Sequence, residues 1–429
     1  MARAKKEAAL TPEERLQAAL VPDWEWPYKL PENWCWTYQK AVCSLSTGEK
    51  RIGNDYPYWE VKCLRGITLP QIVSSGNFVP VFSKVILVDG ENSGEVFTIL
   101  TSGYMGSTFR MLQISAVVFP KYLELFILSN KDVYRNRKTG SAIPHLNKEL
   151  FFSTPFPLPP LAEQQRIVDR IESLFAKLDE AKEKAQAVVD SFETRKAAIL
   201  HKAFTGELTA KWREEHGVSI DNWKTTRFDS VAAIRSNLVD PAEYQSFPHI
   251  APDNIEKKTG VLLEYHTIAE DGVTSGKHRF YSGQILYSKI RPYLSKAVVV
   301  DFDGLCSADM YPIEAYQNAR CLWYYMLSDE FLLQASTAGS RSVLPKINQK
   351  ELSALTVHLP TNDREQEEIA RILDELFDKE QQTKEAAEVV LDQIDLMKKS
   401  ILARAFRGEL GTNDPSEESA VELLKRTIL

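Results

Sequence analysis

Two segments, Leu161 to Leu208 and Asp363 to Leu410, carry the same heptad pattern 202 residues apart, so the chain must bury two long apolar seams. In the first, Ile167, Ile171, Leu174, Leu178, Ala181, Ala185, Val188, Phe192, Arg195 and Ile199 step alternately by four and three, and only Arg195 is polar. In the second, Ile369, Leu373, Leu376, Glu380, Thr383, Ala387, Val390, Ile394, Met397 and Ile401 take the same offsets, with Glu380 and Thr383 as interruptions. A seam at 3.5-residue spacing needs a partner helix, and each copy suits the other. Both end in Ala-Phe-x-Gly-Glu-Leu, at Ala203 to Leu208 and Ala405 to Leu410, where glycine supplies a left-handed cap.

About 150 residues lie between the two helices, which leaves parallel and antiparallel pairing both sterically open. Antiparallel pairing is the expected one. It places the domain before the first helix at one end of a rod, the domain between the helices at the other, and the C-terminal tail back beside the first domain. At about 1.5 Å per residue, a helix of about 44 residues is about 65 Å long.

A chain of 429 residues, 44% hydrophobic and 26% charged, is too long for one core and implies two or more domains. It has no apolar run of about 20 residues for a membrane span and no secretory leader, so no membrane partner is expected. Five cysteines without a Cys-x-x-Cys pair argue for a reducing cytoplasm and against structural zinc. The net charge of −7 divides along the chain as +1 for residues 1–21, +2 for 22–157, −1 for 158–216, −2 for 217–358 and −7 for 359–429. The acidity belongs to the second helix and tail, and the total says nothing against nucleic-acid contact by the globular parts.

In order, residues 1–21 form an N-terminal helical segment, with Thr11 as N-cap, Pro12 in the first turn and Glu14 completing a capping box. Residues 22–157 mix short strand runs, such as Val85 to Val88 and Val96 to Leu100, with glycine turns and a helix at Tyr122 to Asn130. Residues 158–216 hold the central helix. Residues 217–358 repeat the earlier plan: Asn222-Trp223 echoes Asn33-Trp34, Leu322 to Leu333 matches the helix at Tyr122, and Gly339-Ser340 with Pro345, Ile347 and Asn348 matches Gly140-Ser141 with Pro144, Leu146 and Asn147. Residues 359–410 are the C-terminal helix and 411–429 a tail. The expected class is α+β, with two pseudo-repeated globular domains separated by two long antiparallel coiled-coil helices.

The run Pro157-Leu158-Pro159-Pro160-Leu161-Ala162-Glu163-Gln164-Gln165, the Ala-Phe-x-Gly-Glu-Leu endings, Ile143 to Lys148 and Gly283 to Leu294 together resemble the specificity subunit of type I restriction-modification systems along essentially the whole chain. The entry to the second helix, Leu359-Pro360-Thr361-Asn362-Asp363-Arg364-Glu365-Gln366, departs from the first copy without breaking its register. The resemblance implies a non-catalytic subunit whose two target-recognition domains each read half of a bipartite double-stranded DNA site, with the helical rod setting the spacer. It also implies two methyltransferase subunits as partners, on which S-adenosylmethionine binds, and restriction/translocase subunits; the chain itself is expected to hold no cofactor or metal.

Base edges in the major groove favour Arg, Lys, Asn and Gln, while phosphates take Lys and Arg. The densest candidates in the first domain are Arg135, Arg137 and Lys138, followed by His145 and Lys148. In the second they are Lys277, His278 and Arg279, then Lys289, Arg291, Arg341 and Lys346. Solvated charges on a helix end or loop have the same composition.

Catalytic motifs are thin. Asn54-Asp55-Tyr56-Pro57-Tyr58 lacks the paired prolines of an amino-methyltransferase, and Glu60-Val61-Lys62 with Asp55 is a poor nuclease core. Gly272 to His278 has the wrong spacing for a phosphate-binding loop and reads as a turn presenting a basic residue. The rivals to DNA recognition are a self-sufficient nuclease or methyltransferase, which the missing motifs disfavour, and a coiled-coil scaffold whose end domains bind only proteins.

Overall fold

In the computed structural model, which describes residues 11–138, 144–338 and 345–428, the second long helix runs unbroken through Asp363–Phe406, 44 residues. The first is interrupted, as Leu161–Asp190 and Phe192–Phe204, where one continuous helix was expected. Ser191 explains the break. Its hydroxyl donates back to the carbonyl of Ala187 at 2.6 Å, and Arg195 Nη1 takes the carbonyl of Val188 at 3.2 Å, so side chains compete with the backbone ladder over one turn. Both helices then stop at a left-handed glycine, Gly206 at φ 79° and Gly408 at φ 73°.

The chain divides into two units, Met1–Lys184 with Val390–Leu429, and Ala185–Val389. Within the first, Asp179 accepts from Lys398 and Lys182 lies 3.4 Å from Asp395, so partner numbers fall as the first helix advances. Within the second, Lys384 sits 4.9 Å from the Phe192 ring and Arg195 pairs with Glu380, with the same sense. The helices are therefore antiparallel in each unit.

One expectation about the seam fails. Thr383, Val390 and Met397 are exposed, and Lys384, Leu391 and Lys398 are the half-buried residues beside them. An α-helix drifts about 20° per heptad against a strict 3.5 repeat, and beyond Glu380 the buried stripe lies one residue later at alternate positions. Lysine stems fill it, with Lys398 Nζ 5.0 Å from the Phe175 ring.

The repeat is architectural as well as textual. In the first unit a four-stranded antiparallel sheet has the order Cys43–Ser46, Phe109–Ile114, Lys84–Leu87, Val96–Thr98; in the second the order is Ala232–Ile234, Met310–Ala315, Ile285–Ser288, Ala297–Val299, the same succession in sequence. A two-stranded ladder closes each domain, Cys35–Tyr38 on Pro155–Leu158 and Trp223–Arg227 on Thr356–Pro360. The helix expected at Tyr122 is Pro120–Ser129, and its counterpart is split into Ala319–Met326 and Asp329–Ala338 around the buried Ser328. The remaining strands diverge: Glu49–Trp59, Gln71–Val79 and Gly103–Met105 close a three-stranded barrel, whereas the second domain has a five-stranded mixed sheet.

Each unit locks its domain to the start of one helix and the end of the other. In the first, Trp34 Nε1 donates to Glu163 at 2.8 Å, Thr412 donates to the same carboxylate, and Phe406 stacks edge-on against Tyr122 and Phe126. In the second, Trp223 Nε1 donates to Glu365 at 3.0 Å, Thr209 donates at 2.8 Å, and Phe204 meets Tyr325. The expected capping box at Thr11 and Glu14 starts helix Pro12–Ala19, against which the C-terminal helix Ala420–Ile428 packs. The tail thus joins the first unit. No helix of the described residues is long and apolar enough to cross a membrane.

Candidate nucleic-acid interface

Alternation along a strand, set by its pairing, decides which cations are presented. Lys277, His278 and Arg279 open the strand Lys277–Phe280, so the turn expected over Gly272 to His278 ends at Gly276 and its basic residues lie on a strand. His278 faces the core beside Cys306 and is 4% exposed, so it is not available to DNA as it stands. Burial, and then the nearby Lys289 charge, hold its imidazole below the ordinary histidine range. Lys277 is also buried, its ammonium donating to Ser275 Oγ at 2.7 Å, and burial lowers its basicity. Arg279 points to the opposite face.

The two domains share a pinned turn. Gly90 N donates to Pro144 O at 2.7 Å and Leu146 N to Val88 O at 2.8 Å; in the second domain Arg291 N donates to Pro345 O at 2.7 Å and Ile347 N to Lys289 O at 2.9 Å. Gly90 has φ 106° and Arg291 φ 48°, so an arginine holds a backbone conformation that favours glycine. The first turn is acidic, with Asp89 and Glu91. The second is basic, with Lys289 and Arg291.

Around the first turn, His145 Nδ1 lies 2.7 Å from Asp89 Oδ1, and both line a 330 Å³ pocket with Lys148 and Arg110. Arg110 Nη1 donates only to the carbonyls of Ser107 and Phe109, at 2.9 and 2.7 Å. Sequence inspection passed over it because it stands alone in a strand. The signal present was the alternation of Phe109-Arg110-Met111, which turns it away from the buried Phe109. Lys138 is tied down by Glu91, at 2.7 Å to its carbonyl. Arg135, on helix Lys131–Asn136, and Arg137 just beyond it have no carboxylate partner among the described residues.

Around the second turn, Lys346 and Lys289 lie 3.2 and 3.7 Å from Asp309, which neutralises one of the two. Arg291 is exposed and has no carboxylate partner among the described residues. Arg341 lies outside the described residues, as do Gly140, Ser141, Ile143, Gly339 and Ser340 of the repeat. The structure thus gathers His145 with Lys148, and Lys289 with Arg291 and Lys346; it puts the 277–279 strand on another sheet, Arg135 on the helix Lys131–Asn136, and Arg137 and Lys138 just past its end.

The chain matches the family described as type I restriction modification DNA specificity domain twice, over residues 39–189 and 220–390. It is 36% identical over 397 residues to the type I restriction enzyme EcoDI specificity subunit of Escherichia coli, covering 85% of this chain and 86% of that one. The EcoKI specificity subunit of Escherichia coli strain K12 is 24% identical over 338 residues, covering 71% of this chain and 68% of that one. In fold it is similar to the HsdS subunit from Thermoanaerobacter tengcongensis, at 19% identity and TM-score 0.60, covering 90% of this chain and 100% of that one. A chain solved in work on complex assembly and conformational transition of the type I R-M system gives TM-score 0.69 at 18% identity, with the same coverage. The protein belongs to the type I restriction-modification DNA specificity subunits. It is a non-catalytic subunit that recognises DNA sequence with two domains.

Proposed function

We propose that residues 22–157 and 217–358 each read one half of a bipartite double-stranded DNA target, that the paired helices of 158–216 and 359–410 set the unread spacer, and that the packed helices Pro12–Ala19 and Ala420–Ile428 brace the first domain. The observation that carries this is the repeated scaffold with unlike surfaces. Both domains keep one four-stranded sheet and one pinned turn, yet one turn is acidic and the other basic, as two readers of different half-sites require. Two methyltransferase subunits, holding S-adenosylmethionine, dock on this chain in the cytoplasm, and restriction/translocase subunits join them for cleavage. Arg135, Arg137, Lys148, Arg279, Arg291 and Lys346, with Arg110 added, are assigned to the DNA-facing surfaces.

Exchanging residues 22–157 for the matching segment of a relative, followed by sequencing of methylated sites in the host genome, tests the division of labour. One half of the methylated sequence changes and the other stays. An unchanged methylation pattern would support a protein-binding scaffold instead, and methyl transfer or cleavage by the isolated chain would overturn the non-catalytic reading. Adding one heptad to both helices lengthens the spacer by about three base pairs, since seven residues add about 10 Å at 1.5 Å each and a base-pair step is about 3.4 Å.

A further inference from the structure

Of the five described arginines in residues 217–358, three are neutralised by carboxylates: Arg227 by Asp229, Arg235 by Glu314 and Arg320 by Asp374. Arg279 and Arg291 are not. Arg279 is the more constrained of the two. Its guanidinium carbon lies 4.9 Å from the Tyr281 ring, 5.4 Å from Tyr244 and 5.9 Å from Phe247, an aromatic collar around a half-buried charge. Its Nε is enclosed without a hydrogen-bond partner, and Nη1 reaches only the Tyr244 hydroxyl, at 3.5 Å.

We propose that Arg279 reads the major-groove edge of a guanine in the half-site assigned to residues 217–358. The inference rests on the DNA-reading assignment above and deepens it to one residue and one base. A collar of rings fixes the plane of a guanidinium, and a fixed plane matters for the coplanar O6 and N7 acceptors of guanine. A phosphate, which accepts from many directions, needs no such device.

Two further observations support the choice. Arg279 pairs with Leu305, and Leu305 with His249, so the arginine and the imidazole share one sheet face. His249 is itself clamped, with Nδ1 2.7 Å from Asp271, whose other oxygen meets His266 at 3.2 Å. The sheet face that carries Arg279 therefore also carries a histidine pair oriented by one carboxylate. This sheet is also where the two domains diverge, the part free to differ between half-sites.

The test uses the complex assembled with its methyltransferase subunit and a target defined by sequencing methylated sites. Duplexes carry 7-deazaguanine, which lacks N7, at each guanine of the second half-site in turn. One position weakens binding by the unaltered complex about 5- to 150-fold. Arg279→Lys, which keeps the charge but not the fork, abolishes that penalty and relaxes the same position in the methylation profile while leaving the first half-site unchanged. The proposal is overturned if no guanine shows the effect, if the half-site contains none, or if Arg279→Lys and Arg279→Ala leave the penalty in place. It is likewise overturned if Arg279→Ala weakens target and non-target DNA equally while the salt slope falls by about one, the mark of a phosphate contact. Failure of the unaltered complex to bind the target would instead remove the DNA-reading assignment itself.

Discussion

Arg195 Nε donates to Glu380 Oε2 at 2.7 Å, so the single cation in the seam of the first helix falls on the carboxylate that interrupts the second. Two apparent defects are one ion pair. Its side chains are 31% and 24% exposed, and Arg195 Nη2 has no hydrogen-bond partner. Such a pair adds little net stability but opposes slipped registers, in which each charge would face an apolar residue.

The pair predicts a non-additive cycle. Arg195→Leu alone is expected to cost on the order of 1 kcal/mol by leaving Glu380 half-buried and unpaired, and Glu380→Leu costs a similar amount. The double replacement should recover most of the loss. Thermal unfolding of the four proteins measures it, and additive losses would show that the two residues act independently.

Glu163 and Glu365, equivalent in the repeat, should respond oppositely to pH. Burial raises the Glu163 carboxyl, and its hydrogen bonds from Trp34 and Thr412 and the Arg166 charge offset this only in part. Burial also pushes Glu365 upward, but donors from Arg213, Asn222, Thr209 and Trp223 together hold it below the ordinary range. A raised folded-state value makes the Glu163 contribution fall as pH rises above the ordinary glutamate value of about 4.3. A lowered value makes the Glu365 contribution full above that pH and lost as pH falls through the folded-state value. Glu365→Gln should therefore lower Tm at pH 7, by a margin that shrinks in acid. Glu163→Gln should leave Tm at pH 7 unchanged or higher. Parallel pH profiles for the two variants would contradict this.

Gly408 stops the second helix at φ 73°, and a Cβ there would lie 2.5 Å from Pro31 Cγ. Gly408→Ala is expected to cost about 1–2 kcal/mol from the left-handed backbone alone, with the clash added. An unchanged denaturant midpoint would show that the cap relaxes without cost.

Arg110 lines a pocket with His145 and Lys148, and it is expected to contact a phosphate rather than a base. Arg110→Ala should weaken binding by the assembled complex to target and non-target DNA alike, and lower the slope of log K against log salt by about one. A change confined to one base position would reassign it to sequence reading.

Much of this protein is local information, and the sequence held it. Heptad periodicity and the glycines at 206 and 408 specified the extent of both long helical stretches and their ends, though not the break at Ser191, because helix formation and capping depend on residues a few positions apart. The repeat was legible because both copies solve the same packing problem, and the motifs at its joints were enough to indicate the family. What the sequence could not hold was partnership across space. Arg195 finding Glu380, His278 turning inward while Arg279 turns into an aromatic collar, and equivalent glutamates ionising oppositely all depend on groups far apart along the chain. A one-residue change of strand phase reverses which side chain meets solvent, and a carboxyl's ionisation follows the donors folded around it. Only the tertiary structure brings those neighbours together.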